Sequence, residues 1–326
     1  MQMQRTAQPL DRTEQRRHKL RNLAQSFVLL AGMAGLLGAC AWIVVGPGGM
    51  VWVLAGAGVA LALGPRVSPR LILSLYRAHA LSPREFPAGY EILQALAQRA
   101  DLPRLPRLYY VPSRMINAFA VGHRDDAAIA VTDGMLRTLN LRELAGVLAH
   151  ELSHIRNNDL WIMNLADSIS RLTVFMSYAG IALAIIGFPI LVAEDGWVPW
   201  LLIPLLVFSP TLVSLLQLAL SRAREFDADL DAAGLTGDPA GLASALEKME
   251  RVQGSVWERL LMPGRRVPDP SLLRSHPATE ERVRRLLALY APRRPAVSWQ
   301  DRTLAVPGRL PRVHARPRYR LTGAWF

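Results

Sequence analysis

Apolar and polar positions are segregated along this 326-residue chain rather than mixed. Four stretches carry no charged residue: 23–45, 50–64, 172–193 and 197–220. A helix needs about 20 apolar residues to cross roughly 30 Å of hydrocarbon. The first, third and fourth stretches, at 23, 22 and 24 residues, reach that length. The second has only 15 and spans only with a thinned bilayer or borrowed flanks. The pattern predicts four spans in two hairpins.

Between the hairpins the period changes. Ile92, Leu93 and Leu96 lie at helical spacing, and Pro103 ends that pattern. "RLYYVP", "INAFAVG" and "AAIAVTDG" are short β-rich runs, with "GHRDD" as a hairpin loop between the last two, and predict a small sheet. Asn140 precedes "LRELAGVLAHELSHI" with Glu143 three residues on, a capping-box pattern. Leu141, Leu144, Leu148, Leu152 and Ile155 form the buried stripe of that helix. After the fourth apolar stretch, "LQLALSRAREFDADLDAAGL" has no breaker before Gly234, so the span is expected to continue out of the membrane as one helix. Two further helices follow, "PAGLASALEKMERV" and "HPATEERVRRLLALY", the latter with Pro277 in its first turn.

The chain thus divides into a basic tail (1–22), a first transmembrane hairpin (23–64), a polar segment with the sheet (65–171), a second hairpin (172–220), a second polar segment (221–291) and a Pro/Arg-rich tail (292–326). The two polar segments are expected to fold against each other. The tail, with eight arginines against Asp301, reads as a solvated or membrane-hugging extension.

Composition agrees: 51% of residues are hydrophobic and the mean hydropathy is +0.17. The net charge of +12 invites a nucleic-acid reading, but its placement favours membrane topology instead. Arg12, Arg16, Arg17, Lys19 and Arg21 precede the first span, Arg66, Arg70 and Arg77 follow the second, and Arg222 and Arg224 follow the fourth. The loops "GPGG" and "EDGW" carry no positive charge. The excess of arginine on one side places both termini and the intervening segment in the cytoplasm. The single cysteine, Cys40, excludes an internal disulfide or a cysteine-based zinc cluster, and the apolar run past it makes an uncleaved anchor the better reading than a lipoprotein signal.

The chemistry concentrates at "LAHELSHIRNNDL". On a helix His150 and His154 stack one turn apart, so both imidazoles can address one ion. Glu151, turned about 100° away, can reach a water beside that ion without binding it, as metal-assisted peptide hydrolysis requires. A core histidine usually comes singly, which weighs against a purely structural pair. A catalytic zinc takes three protein ligands and one open position. His123, His276 and the cluster "SRAREFDAD" are the candidates. Glu225 and Asp229, one turn apart, suit a ligand and its supporting carboxylate, favouring Glu225 as third ligand and Asp229 as support. His123 falls in a turn and reads as merely exposed. His276 and Arg282 read more readily as helix initiation and a surface arginine than as groups stabilising an intermediate or gating the metal.

In order along the chain, "INAFAVG", "LAHELSHI", "SRAREFDAD" and "SHPATEERVRRL" resemble the HtpX-type membrane metalloproteases, relatives of the CAAX prenyl proteases. The similarity reaches from the first hairpin to about Tyr290. It implies a zinc endopeptidase of the bacterial inner membrane that degrades misfolded membrane proteins, with one Zn2+ on His150, His154 and Glu225 and Glu151 as catalytic base. The aspartate matching Asp229 serves as proton donor in prenyl-protease relatives; support is the role expected here, with proton donation the alternative. Asn117 and Ala118 match the family's substrate-side strand, whose backbone would pair with an extended peptide. The fold class expected is a mainly α (α+β) integral membrane protein, two hairpins plus a cytoplasmic gluzincin-like HExxH domain with a small sheet. Its partners are the bilayer and membrane-protein or extended-peptide substrates, with no nucleic acid. Spacing places Glu225 about 7–8 Å past Leu220 along a continuous helix, so the site is expected near the cytoplasmic membrane face. A catalytically silent zinc-binding membrane adaptor is the alternative. A transporter is disfavoured because no span carries a charge.

Overall fold

In the computed structural model the chain is described over residues 12–63, 69–193, 202–261 and 279–288. The loop "EDGW", His276, Pro277 and the tail beyond residue 288 lie outside the described residues. The chain divides into two compact units. The first comprises Met1–Gln15, Val67–Leu160 and Arg224–Phe326; the second comprises Arg16–Arg66 and Trp161–Ala223.

The second unit is apolar and helical. Its first helix, α1 (Arg12–Leu63), is two helices meeting at Gly46, where φ is 72° and ψ is −179°. Only glycine takes that conformation without strain, so the break falls at the head of the predicted "GPGG" loop. Val53, beyond the break, packs on the cluster that Met33 and Leu37 form with Ala166, Ile169, Val213 and Leu220. Those partners come from α6 (Asp159–Ala193) and α7 (Leu202–Thr236). Among the described residues three helices are long and apolar enough to cross a membrane: Leu23–Gly46, Asp159–Ile186 and Ile203–Thr236. The expected second span, 50–64, is helical as far as Leu63, the last described residue there, and is not among the three. The third span departs from expectation at its start: α6 begins at Asp159, with Asp167 and Arg171 paired on its exposed polar turn.

Pro210 lies inside α7 and removes one helical N–H, leaving the carbonyl of Leu206 without its partner. Ser209 Oγ donates to that carbonyl at 3.0 Å, and Ser177 Oγ of α6 donates to it as well. A lipid environment offers no water for an orphaned carbonyl, so these two buried hydroxyls make the proline tolerable there. Gly234 is absorbed within α7, which stops two residues later; the left-handed residue after it is Gly237, with φ of 68°.

The first unit is built on a four-stranded sheet in the order β1-β2-β4-β3. Its strands are β1 (His79–Ala80), β2 (Arg107–Val111), β3 (Ala118–His123) and β4 (Asp126–Thr132). β4 pairs in parallel with β2 and antiparallel with β3, so β3 is an edge strand. Side chains alternate between the faces. Leu108, Tyr110, Ile129, Val131, Ala118 and Ala120 join the main core with α3 (Pro87–Arg99) and α5 (Leu141–Asn157). Val111, Val121, Ala128 and Ala130 face the other way, toward Leu73 of α2 (Pro69–Leu75). The short helix α4 (Asp133–Thr138) leads from β4 into α5.

The predicted capping box is present: Asn140 accepts from the Glu143 N–H, and Glu143 accepts from the Asn140 N–H. The stripe Leu144, Leu148, Leu152 and Ile155 is buried. Opposite it, Gly146 meets α8 (Pro239–Leu261) so closely that a Cβ there would stand 2.9 Å from the Leu242 Cα. α9 (Thr279–Ala288) follows, with Val283 and Leu286 in the main core.

Candidate metal centre

His150 and His154 project from one face of α5, and Glu225 comes from α7 within the same compact unit. The two Nε2 atoms stand 3.2 Å apart; Glu225 carboxylate oxygens lie 3.5 Å from His150 Nε2 and 3.9 Å from His154 Nε2. Atoms about 2.0–2.1 Å from a tetrahedral zinc stand about 3.3–3.4 Å from one another, so these separations suit the edges of one coordination polyhedron. Among the described residues this trio is the one group of three or more histidine, cysteine or acidic side chains gathered tightly enough to hold an ion.

The far side of each imidazole faces a carboxylate. Asp229 Oδ1 is 3.0 Å from His150 Nδ1, within ion-pair distance but off the line of a well-formed hydrogen bond. Asp159 Oδ2 is 2.8 Å from His154 Nδ1. Arg282 grips Asp229 with two bonds of 2.7 Å and touches Glu225 at 3.1 Å; Arg224 reaches Asp159 at 3.2 Å. Glu225, Asp229 and Asp159 thus share two guanidiniums. His150 registers the same field. Burial alone would lower its pKa, yet Asp229 and Glu225 push it up to about 10.

Glu151 follows His150 directly on α5, turned about 100° around the helix and beside the trio. Burial raises its pKa above the ordinary carboxylate value, against the pull of His150 and His154, while the Ala120 backbone N–H of β3 donates to it. A carboxylate so placed accepts a proton more readily than one in water.

Of the two residues expected on the substrate side, Ala118 opens β3 and Asn117 stands just before it. Asn117 precedes β3, and its backbone is already spent: its N–H donates to Thr132 Oγ1 at 2.9 Å and its carbonyl accepts from the Thr132 N–H at 3.1 Å. Backbone groups alternate along an antiparallel pair, so Ala118 and Ala120 present theirs away from β4, on the outer edge. Arg282, weighed above as a surface arginine, is instead 7% exposed and joined to the centre, because the two carboxylates below α9 draw it in. His123 is exposed at the end of β3. Asp159 and Arg224 were not anticipated. Asp159 falls five residues after His154, off the helical register, and only the "NND" run hints at the turn that returns it.

The chain matches peptidase family M48 over residues 83–290. It belongs to that family. Similar M48 proteins include the protease HtpX homolog of Acaryochloris marina, 38% identical over 284 residues covering 81% of this chain and 94% of that one. The protease HtpX homolog of Thermococcus sibiricus is 37% identical over 288 residues, covering 79% and 93%. A solved structure, S. mikatae Ste24p, aligns with 18% identity and a TM-score of 0.49, over 83% of this chain and 66% of that one. The HtpX resemblance read from four motifs therefore holds over most of the chain. This M48 protein is a membrane metallopeptidase: its family uses a divalent metal to cut peptide bonds, and its apolar helices are long enough to span a bilayer.

Proposed function

We propose that this M48 protein is a zinc endopeptidase of the bacterial cytoplasmic membrane that removes misfolded or damaged membrane proteins. One zinc per chain is held by His150, His154 and Glu225; Glu151 is the catalytic base. The convergence of three ligand atoms beside a half-buried carboxylate that itself touches an edge strand carries this reading.

Bound zinc supplies a Lewis acid that makes water acidic and polarises the scissile carbonyl. The remaining steps belong to the chain. An extended peptide adds to the outer edge of β3, pairing with the Ala118 backbone and the Ala120 carbonyl, the Ala120 N–H being held by Glu151. Glu151 takes the proton of the attacking water as its oxygen bonds to the carbonyl carbon. As the C–N bond breaks, Glu151 delivers that proton to the departing amine. Asp229 is a support rather than a donor in this scheme, because both of its oxygens are engaged by Arg282. Basic residues beside the first, second and fourth apolar stretches support a site and both termini on the cytoplasmic side. Arginine-poor hairpin loops on the opposite side support the same orientation.

The role in quality control is tested by comparing membrane-fraction proteomes of cells carrying wild type and Glu151→Gln. Damaged multi-pass proteins should accumulate with the variant; indistinguishable profiles under membrane stress would remove the quality-control assignment.

A further inference from the structure

Asp159 lies outside both the HExxH pattern and the acidic cluster, yet it touches the centre. A turn puts it there. α5 ends at Asn157, and Asn158 takes φ 56° and ψ 33°, its N–H closing onto the carbonyls of His154 and Ile155. This left-handed cap redirects the chain, so the first residue of α6 returns to the ring of His154. One oxygen of Asp159 is 2.8 Å from His154 Nδ1 and the other 3.2 Å from Arg224. The two charged side chains are 3% and 6% exposed. Arg224 in turn immediately precedes Glu225 on α7.

We propose that Asp159, held by Arg224, is a positioning residue that fixes the metal-binding tautomer of His154. This rests on the metal reading above and adds to it. A neutral imidazole carries one N–H. A carboxylate can only accept, so Asp159 retains the proton on Nδ1 and leaves the Nε2 lone pair directed at His150 Nε2 and Glu225. An amide in the same place can also donate, which admits the other tautomer and turns an N–H toward the metal. Arg224 restrains the carboxylate and ties the α5–α6 junction to the residue next to the third ligand. One buried pair thereby aligns two of the three ligands from different parts of the chain.

The test compares full-length wild type, Asp159→Asn and Asp159→Ala in detergent, with His154→Ala as a reference for a lost ligand. Three quantities are read: zinc affinity by chelator competition, the visible spectrum of the cobalt(II)-substituted protein, and the thermal transition of the metal-free chain. Asp159→Asn should bind zinc about 10–100-fold more weakly, the usual effect of losing such a partner. Its cobalt bands should change, and its zinc affinity should fall further than the lowered metal-free transition, which reflects the stranded Arg224, accounts for. Asp159→Asn binding zinc as tightly as wild type, with an unchanged cobalt spectrum, overturns the proposal. So does an affinity loss that only follows a loss of metal-free stability in both variants. A wild-type chain that takes up no zinc overturns the metal reading itself, a result distinct from either.

Discussion

Arg282 illustrates how a single side chain acquires its role from its surroundings. Its guanidinium spans Asp229 and Glu225, and all three side chains are nearly excluded from solvent. Removing one partner from such a buried group strands the other charge, at a cost of about 3–5 kcal/mol. Arg282→Met should therefore lower the unfolding free energy of the metal-free protein by about that amount, measured by denaturant unfolding in detergent. Arg282→Lys should restore little, because an ammonium cannot reproduce the paired geometry. An Arg282→Met protein as stable as wild type would mean that the contacts with Asp229 and Glu225 contribute nothing. In the sequence Arg282 could not be told from its neighbours Arg284 and Arg285, since burial of one arginine depends on carboxylates some fifty residues away. His150, Glu151 and His154 were legible because their relation is local, set by one helical turn.

At the scale of elements, α5 is fastened to α8 by contacts that the sequence half disclosed. The capping role of Glu143 could be read from "NLRE", but not its second task. The same buried carboxylate accepts from Ser244 at 2.6 Å and Lys248 at 2.7 Å on α8. Burial would raise its pKa, yet Lys248, Ser244 and the Asn140 N–H together hold it below the ordinary value. A carboxyl whose pKa is lower in the folded state stabilises the fold fully above its unfolded pKa, about 4.3. That contribution is lost as pH falls through the depressed folded value. Wild type should thus lose stability below about pH 4 more steeply than Glu143→Gln. Glu143→Gln in turn should be less stable at pH 7 by about 2 kcal/mol. Equal acid slopes in paired denaturation curves would discount the bond to Lys248. Gly146 gives a steric counterpart: with Leu242 backbone 2.9 Å from any Cβ, Gly146→Val must push the helices apart, and its thermal transition should fall. Such an approach leaves no trace in a hydrophobic pattern, which registers apolar side chains but not their absence.

At the scale of the molecule, the apolar stretches announced a membrane protein, and length decided which of them suffice. Among the described residues, 50–64 is not among the long apolar helices: the break at Gly46 separates it from the first helix, and its described part stops at Leu63. The sheet was also legible as three runs, whereas the parallel pairing of β2 with β4 was not, because register and strand order depend on the whole core. Alkaline carbonate should leave the protein in the membrane pellet and detergent should release it. Orientation is read by thiol labelling: Gln94→Cys, on an exposed position of α3, should react with an impermeant maleimide only after the inner membrane is opened. Labelling in intact spheroplasts would reverse the proposed topology.

The central claim is that a metal-binding site with a carboxylate base cuts peptide bonds. Its most direct test is Glu151→Gln, purified beside wild type, with zinc content and cleavage of an unfolded membrane substrate measured on the same samples. Glu151 is not among the ligands, so one zinc per chain should remain while cleavage falls by several orders of magnitude. Equal cleavage by the two proteins, at equal zinc content, would contradict the account.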